Sequence, residues 1–221
     1  MSQSTKPSRS TGQAADSMEI ATSKSFFQAG MVELSLGLIA LVVGELIGFN
    51  LRESIPAWND WNGLRQSVLL GMAVSILLFL LIQGIGALPI RSLQQLERLT
   101  KDQLNQAVGP MTIPQLLVLS LTAGIGEEFL FRGLIQGWFL SYYSSPSFVQ
   151  AIPGILVSSL LFGIAHPLTR SYIVIASCMG VLFALVYWWT RDLLACILAH
   201  AFYDAMILTY WRWTEFRAKA S

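Results

Sequence analysis

Six long apolar stretches, separated by short polar connections, account for most of this 221-residue chain. About 20 consecutive apolar residues suffice for an α-helix to cross the hydrocarbon core of a bilayer. Charged residues make up only 12% of the chain, against about 25% in ordinary soluble domains. We therefore predict an all-α, polytopic membrane helix bundle with about six transmembrane helices. The spans lie near residues 29–49, 66–88, 112–140, 149–165, 172–189 and 193–211.

The third stretch and the connection before it have further properties. A straight helix over residues 112–140 would be roughly 40 Å long, so we expect it to be tilted, kinked or extended beyond the hydrocarbon. Gly124 and Gly126 are candidate positions for a bend. In the connection, apolar side chains recur every three to five residues among charges and glutamines. This spacing over residues 90–108 predicts one interfacial amphipathic helix.

The N-terminal residues and the connections complete the expected organisation. Residues 1–24 are rich in serine, threonine and glutamine and are predicted to be a disordered tail. Residues 25–110 would then hold two transmembrane helices and the amphipathic helix. With the N-terminus inside, ten basic residues lie in inner segments and three in outer ones. This asymmetry predicts a multi-pass protein with both termini on the cytoplasmic (or stromal) side. The lipid bilayer is the expected partner, and no nucleic acid is expected.

Residues 127–132 place two glutamates and an arginine inside the third apolar stretch. Glu128 and Arg132 are four residues apart and share a helix face, in the favourable order for an ion pair. Glu127 is rotated by roughly 100° from Glu128, so it is free to face a different cavity. A carboxyl group in low-dielectric surroundings is suited to exchange a proton near neutral pH.

The two histidines of the chain, His166 and His200, also lie in apolar helical stretches. His166 closes the fourth stretch just before a proline. His200 is four residues before Asp204, so both lie on one face of the sixth stretch. Ionisable groups are expensive inside a membrane and persist there mainly in pairs or at functional sites. Three such helices therefore predict one buried reaction site.

The residues at these positions resemble a known family. Glu-Glu-x-x-x-Arg at 127–132, Phe-x-x-x-His at 162–166 and His-x-x-x-Asp at 200–204 are similar to the ordered motifs of the CAAX protease and bacteriocin-processing (CPBP, or Abi) family. The resemblance covers roughly residues 112–211. It implies a core of four transmembrane helices over residues 111–212 that acts as an intramembrane endopeptidase. Its members include the type II CAAX prenyl endopeptidases, so the implied substrate is a prenylated or other membrane-anchored peptide or protein.

The same resemblance implies a role for each matched residue. Glu127 and His166 would activate the attacking water, while His200 and residue 204 would face the developing oxyanion. Glu128 and Arg132 would order the site, and Phe162 would pack beneath it. The family usually has asparagine at the last motif position, where this chain has Asp204. An ionised aspartate cannot donate a hydrogen bond to an oxyanion, so it must be protonated, orient His200 or bind a cation.

Two alternatives stay open at this stage. The first is a zinc-dependent peptidase, with Glu127, His166, His200 and Asp204 as ligands, although the His-Glu-x-x-His signature is absent. The main interpretation requires no cofactor. The second alternative is a non-catalytic membrane scaffold or regulator that keeps the motifs for packing. Glu33, in the first stretch, is expected to reach the interface or to pair locally.

Overall fold

A computed structural model describes residues 9–220 of the chain. Within that range the chain is helical and contains no β-strand. A 3-10 turn at Leu51–Ser54 follows the first helix, and a π-helical segment at Phe129–Gln136 separates the fourth helix from the fifth. The α-helices are α1 (Arg9–Leu46), α2 (Trp61–Gly86), α3 (Arg91–Ala107), α4 (Ile113–Glu128), α5 (Gly137–Ser141), α6 (Phe148–Ile164), α7 (Arg170–Thr190) and α8 (Leu193–Ala220).

Length and composition confirm a membrane helix bundle. Five helical stretches between residues 9 and 220 are long and apolar enough to cross a membrane: Ile20–Leu46, Trp61–Gly86, Ile113–Ser141, Arg170–Thr190 and Leu193–Arg217. The apolar helix α6 is 17 residues long, at the short end of the range that spans a bilayer. Large apolar side chains cover the outside of the bundle, as expected for a surface that faces lipid rather than water. The chain is an integral membrane protein.

The N-terminal region differs from the predicted disordered tail. Helix α1 begins at Arg9, so residues 9–24 are helical, while residues 1–8 lie outside the described range. The physical reason is that a helix, once nucleated, extends by one hydrogen bond for each added residue. Ala14, Ala15, Met18 and Glu19 have good intrinsic helix propensity, so the span extends backwards through them.

The predicted amphipathic helix is present as α3. Its last turn is packed into the bundle, because Leu104 and Val108 form an apolar cluster with Met111 and Trp211. Arg212 Nη1 donates a hydrogen bond to the Gly109 carbonyl oxygen just after the helix. The start of α4 and the end of α8 therefore hold one end of α3 in place.

Glycines set the closest helix contacts around the centre of the bundle. A Cβ on Gly126 would overlap the backbone of Glu33 in α1, and one on Gly124 would lie 2.8 Å from the Ile197 carbonyl oxygen in α8. Gly124 and Gly126 therefore let α1 and α8 approach α4, which is a different role from the predicted bend. The departure from α-helical geometry occurs after them, in the π-helical segment, which follows Glu128 directly. Such segments are frequent at functional sites.

Candidate active site

The two glutamates end α4 and lie in the interior of the bundle. Glu128 is fully buried and Glu127 is 7% exposed. Successive residues of a helix point about 100° apart, so the two carboxyl groups meet different neighbours. Glu128 contacts Arg132 and His200, whereas Glu127 faces His166. The prediction that the two side chains diverge is confirmed.

Glu128 is the centre of a buried charged group. Its Oε1 accepts a hydrogen bond from Arg132 Nη1 and lies 2.8 Å from both that atom and His200 Nδ1. All three side chains are at most 5% exposed. The predicted Glu128–Arg132 pair is therefore present, and it also fixes the orientation of the His200 ring. The site is thus connected through Glu128 across two helices.

Arg132 also connects this group to α7. Its Nη2 donates a hydrogen bond of 3.0 Å to the Gly180 carbonyl oxygen. Its guanidinium carbon lies 4.5 Å from the ring centre of Phe162 and 5.2 Å from that of Phe183. A cation over an aromatic face is stabilised by the ring quadrupole. The charge is therefore held by one carboxylate, one carbonyl and two aromatic faces.

Gln136 is a buried polar residue that sequence reasoning missed. It is fully buried, and its Nε2 donates a hydrogen bond of 2.7 Å to the Ala184 carbonyl oxygen. Arg132 and Gln136 are four residues apart, as are their acceptors Gly180 and Ala184. The two bonds hold the π-helical segment along α7. The four-residue spacing from Arg132 was the signal in the sequence that could have identified it.

Glu127 and His166 form the second part of the site. Glu127 Oε1 lies 3.6 Å from His166 Nε2, which is too long for a direct hydrogen bond. His166 Nδ1 lies 2.8 Å from the Phe162 carbonyl oxygen, which can only accept. The proton is therefore on Nδ1, and the Nε2 lone pair of a neutral ring faces Glu127. A water about 2.8 Å from each atom fits this separation.

The Phe162 ring packs against the rings of both histidines. Phe162 is 3% exposed, and its ring centre lies 4.7 Å from the His166 ring and 5.8 Å from the His200 ring. The His200 ring also stacks on Phe183, with centres 5.3 Å apart. The packing position predicted for Phe162 is the one that the structure shows. Both imidazole rings are thus held by aromatic contacts as well as by hydrogen bonds.

Asp204 lies on the far side of His200 from Glu128. Its Oδ2 is 3.5 Å from His200 Nε2, and its side chain is 28% exposed. His166 is similarly open, with 26% of its side chain exposed, whereas the Glu127 side chain is largely buried. Of the four candidate catalytic residues, His166 and Asp204 are therefore the more exposed, and Glu127 and His200 are the more buried.

The alternative zinc set does not assemble into a metal site in this arrangement. Among residues 9–220, no three His, Cys, Asp or Glu side chains are placed to hold one metal ion. Glu127 and His166 face each other, while Asp204 is paired with His200 and Glu128 is bound to Arg132.

A further carboxyl group enters the site from α1. The Glu33 backbone lies against Gly126, the residue before Glu127, and Glu33 Oε2 is buried in the bundle. Glu33 was predicted to reach the interface or pair locally, and the structure instead places it on the face that contacts α4. Gly30 and Gly37, three residues before and four after it, lie on the same face and contact Thr122 and Gly126. These flanking glycines were the available signal.

Comparison with known proteins agrees with this geometry. Residues 109–206 match the family model described as type II CAAX prenyl endopeptidase Rce1-like. All three motifs lie inside that match. Over these residues the chain is similar to the CPBP family. The match runs from α4 to the middle of α8, while α1, α2 and α3 lie before it.

One curated relative of this chain is the membrane-embedded CAAX protease MroQ of Staphylococcus aureus (strain USA300). It is 30% identical over 92 residues, which are 42% of this chain. The chain spans little more than a third of the relative, with 37% of its length matched. No solved structure matches the chain significantly.

Proposed function

We propose that this chain is a CPBP-type intramembrane endopeptidase in which Glu127 and His166 activate a water molecule. The observation that carries the proposal is the 3.6 Å gap between Glu127 Oε1 and the unprotonated Nε2 of His166. Both atoms accept hydrogen bonds, so a water between them donates one hydrogen to each. Its oxygen lone pairs are then free for attack on a carbonyl carbon.

The chemistry needs only groups of this chain. Glu127 takes one proton from the water as its oxygen attacks the carbonyl carbon of the peptide bond, while His166 orients the water. The carbonyl oxygen becomes an oxyanion. Glu127 then returns the proton to the amide nitrogen as the carbon–nitrogen bond breaks. The products are a carboxylic acid and an amine, so one water is consumed for each bond cleaved.

His200 is the proposed donor to the oxyanion. Its ring lies between the Glu128 and Asp204 carboxyl groups. A doubly protonated ring donates from Nδ1 to Glu128 and carries its Nε2 hydrogen on the side of the partly exposed Asp204. Donors that are already in place where negative charge develops are an effective source of catalysis. Asp204 is then the charge partner of His200 rather than a donor itself.

The proposed substrate is a membrane-anchored peptide, with the prenylated CAAX type as the first candidate. Support comes from the family match, from the name of the relative and from a site placed among apolar helices. A lipid anchor keeps a peptide beside such helices and raises its local concentration. No metal or other cofactor is part of the proposal. A non-catalytic scaffold role has no separate structural support, because His166 and Asp204 are partly exposed rather than closed into the packing.

Cleavage of a fluorogenic farnesylated CAAX peptide by the purified full chain in liposomes tests the proposal. We expect cleavage, a slower rate with the same peptide lacking the farnesyl group, and a loss of about 100-fold or more in His166→Gln. A chelator should leave the rate unchanged; loss with chelator and recovery with zinc would overturn the metal-free mechanism. If neither this nor any other membrane-anchored peptide is cleaved, the peptidase function is wrong and the scaffold alternative stands.

We also propose that both termini lie on the cytoplasmic (or stromal) side. Support comes from the excess of basic residues in the connections on that side. Reporter tags at the two ends should give the same sidedness, and a tag in the connection before α2 should give the opposite one. Tags of opposite sidedness at the two ends would contradict the orientation.

A further inference from the structure

Helix α1 lies outside the segment that matches the family model, yet it packs against the residue that precedes the proposed base. The backbone of Glu33 fits against Gly126 so closely that a Cβ on this glycine would overlap it. Gly126 immediately precedes Glu127 in the chain. The Glu33 backbone is therefore held beside the residue that precedes the reacting carboxyl group, and Glu33 Oε2 is buried, as is Glu127 Oε2.

One oxygen of each of the two carboxyl groups is buried without a hydrogen-bond partner among the described residues. These oxygens are Glu33 Oε2 and Glu127 Oε2. Glu127 Oε1 faces His166 instead. An unpaired buried polar atom is costly. One proton between the two carboxyl groups removes this cost, because a protonated carboxyl group donates and an ionised one accepts.

The charges around the pair favour such a shared proton. Glu33, Glu127, Glu128 and Asp204 bring four carboxyl groups into the cluster, and Arg132 is its permanent cation. Arg132 is bound to Glu128, and His200 lies between Glu128 and Asp204. Among the described residues, neither Arg132 nor His200 is hydrogen-bonded to Glu33 or Glu127. Two close carboxyl groups without a cation do not both ionise.

We infer that Glu33 is a positioning residue for Glu127: a hydrogen bond between their carboxyl groups holds Glu127 with Oε1 directed at His166. This inference rests on the proposed function, because it assigns a task to Glu33 in that reaction. It makes α1 part of the active site. Glu33 does not touch the peptide. It fixes the side chain that does the chemistry and leaves one Glu127 oxygen free for the water.

Substitutions at Glu33 separate positioning from packing. Glu33→Gln keeps a donor and nearly the same shape, whereas Glu33→Leu keeps the volume and removes the hydrogen bond. A hydrogen bond to a charged group is worth about 10- to 100-fold in an equilibrium. We expect Glu33→Leu to lower kcat by about that factor with little change in KM, and Glu33→Gln to recover most of it. Glu45→Gln, an exposed glutamate on the same helix, is the matched control and should retain the wild-type rate.

A double substitution tests the route through Glu127. In a Glu127→Gln background, Glu33→Leu should have no further effect on the residual rate, because the residue that it positions is already lost. If Glu33→Leu cleaves the farnesylated CAAX peptide at the wild-type rate while Glu127→Gln is inactive, the inference is wrong and the proposed function stands. If Glu127→Gln is fully active, the proposed role of Glu127 is wrong, and with it the basis of the inference about Glu33.

An infrared spectrum provides a readout that does not depend on activity. The carbonyl-stretch absorption of a protonated carboxyl group should be lost in Glu33→Gln and also in Glu127→Gln, since the two groups share one proton. It should be unchanged in Glu45→Gln. A spectrum in which Glu33→Gln keeps the absorption and Glu127→Gln alone removes it would overturn the shared proton, whatever the peptidase assay shows.

Discussion

Removing Arg132 should strongly destabilise the bundle. The side chain is fully buried and donates to Glu128 Oε1 at 2.8 Å and to the Gly180 carbonyl oxygen at 3.0 Å. Arg132→Met fills most of the space but leaves the Glu128 carboxylate buried with His200 as its remaining partner. Breaking a buried ion pair from one side costs about 3–5 kcal/mol. We expect a loss of that size in the free energy of unfolding.

The double variant Glu128→Leu/Arg132→Met shows whether this loss comes from the uncompensated charge. Replacing both partners of a buried pair by apolar side chains is often neutral. The remaining cost is then the lost hydrogen bond to His200, about 1 kcal/mol. The double variant should therefore be more stable than Arg132→Met alone. Peptidase activity should stay low in both, since His200 is no longer oriented.

Unfolding of the purified variants in one mild detergent measures these differences. Arg65→Met, at an exposed position, is the control and should change stability by less than about 0.5 kcal/mol. The reasoning is refuted if the double variant has a lower free energy of unfolding than Arg132→Met, so that the losses from the two substitutions simply add. That result would mean that the two side chains act through separate packing contacts and not as a charge pair.

Three further changes test the geometry of the site. Gly126→Ala places a methyl group against the Glu33 backbone and should lower stability by about 1–3 kcal/mol, whereas Gly84→Ala, at an open position, should not. The added methyl group of Gly163→Ala would overlap Ser177 and the Ile173 carbonyl oxygen and should shift His166. The resulting free-energy loss should be larger for kcat than for unfolding, and equal losses would argue against a shift of His166. Asp204→Asn removes one charge partner of His200 at 3.5 Å, which is worth about 1 kcal/mol or about fivefold in rate; an increase in kcat would instead show that the carboxylate suppresses an oxyanion site.

Local features of the site followed from the sequence. The Glu128–Arg132 contact and the divergence of Glu127 depend only on helix geometry, so spacing predicted both. The membrane helices and α3 followed from apolar length and periodicity. The resemblance to the CPBP motifs named the residues that the structure brings together, although those residues lie on separate helices. Residue spacing alone could not have shown that these residues on separate helices lie close together.

Contacts between distant elements were harder to predict from the sequence. Glu33 and Glu127 are far apart in the chain, and the approach of α1 to α4 depends on the backbone fit at Gly126. The sequence around a glutamate in a transmembrane helix does not show whether its side chain faces lipid headgroups or a neighbouring helix. The π-helical segment after Glu128 likewise depends on how the segment packs against α7. The helix that extends back to Arg9 was not predicted, because the polar composition of residues 9–24 does not show that the transmembrane helix after them can extend through them.

The rate of Glu127→Gln is the most direct test of the central claim, which is that Glu127 is the general base. The measurement compares kcat for a farnesylated CAAX peptide in the wild-type chain, in Glu127→Gln and in the exposed control Glu45→Gln. A general base contributes about 10²- to 10⁴-fold, so Glu127→Gln should lose at least about 100-fold in kcat with little change in KM, while Glu45→Gln keeps the wild-type rate. A Glu127→Gln variant that is folded and cleaves at the wild-type rate would contradict the account.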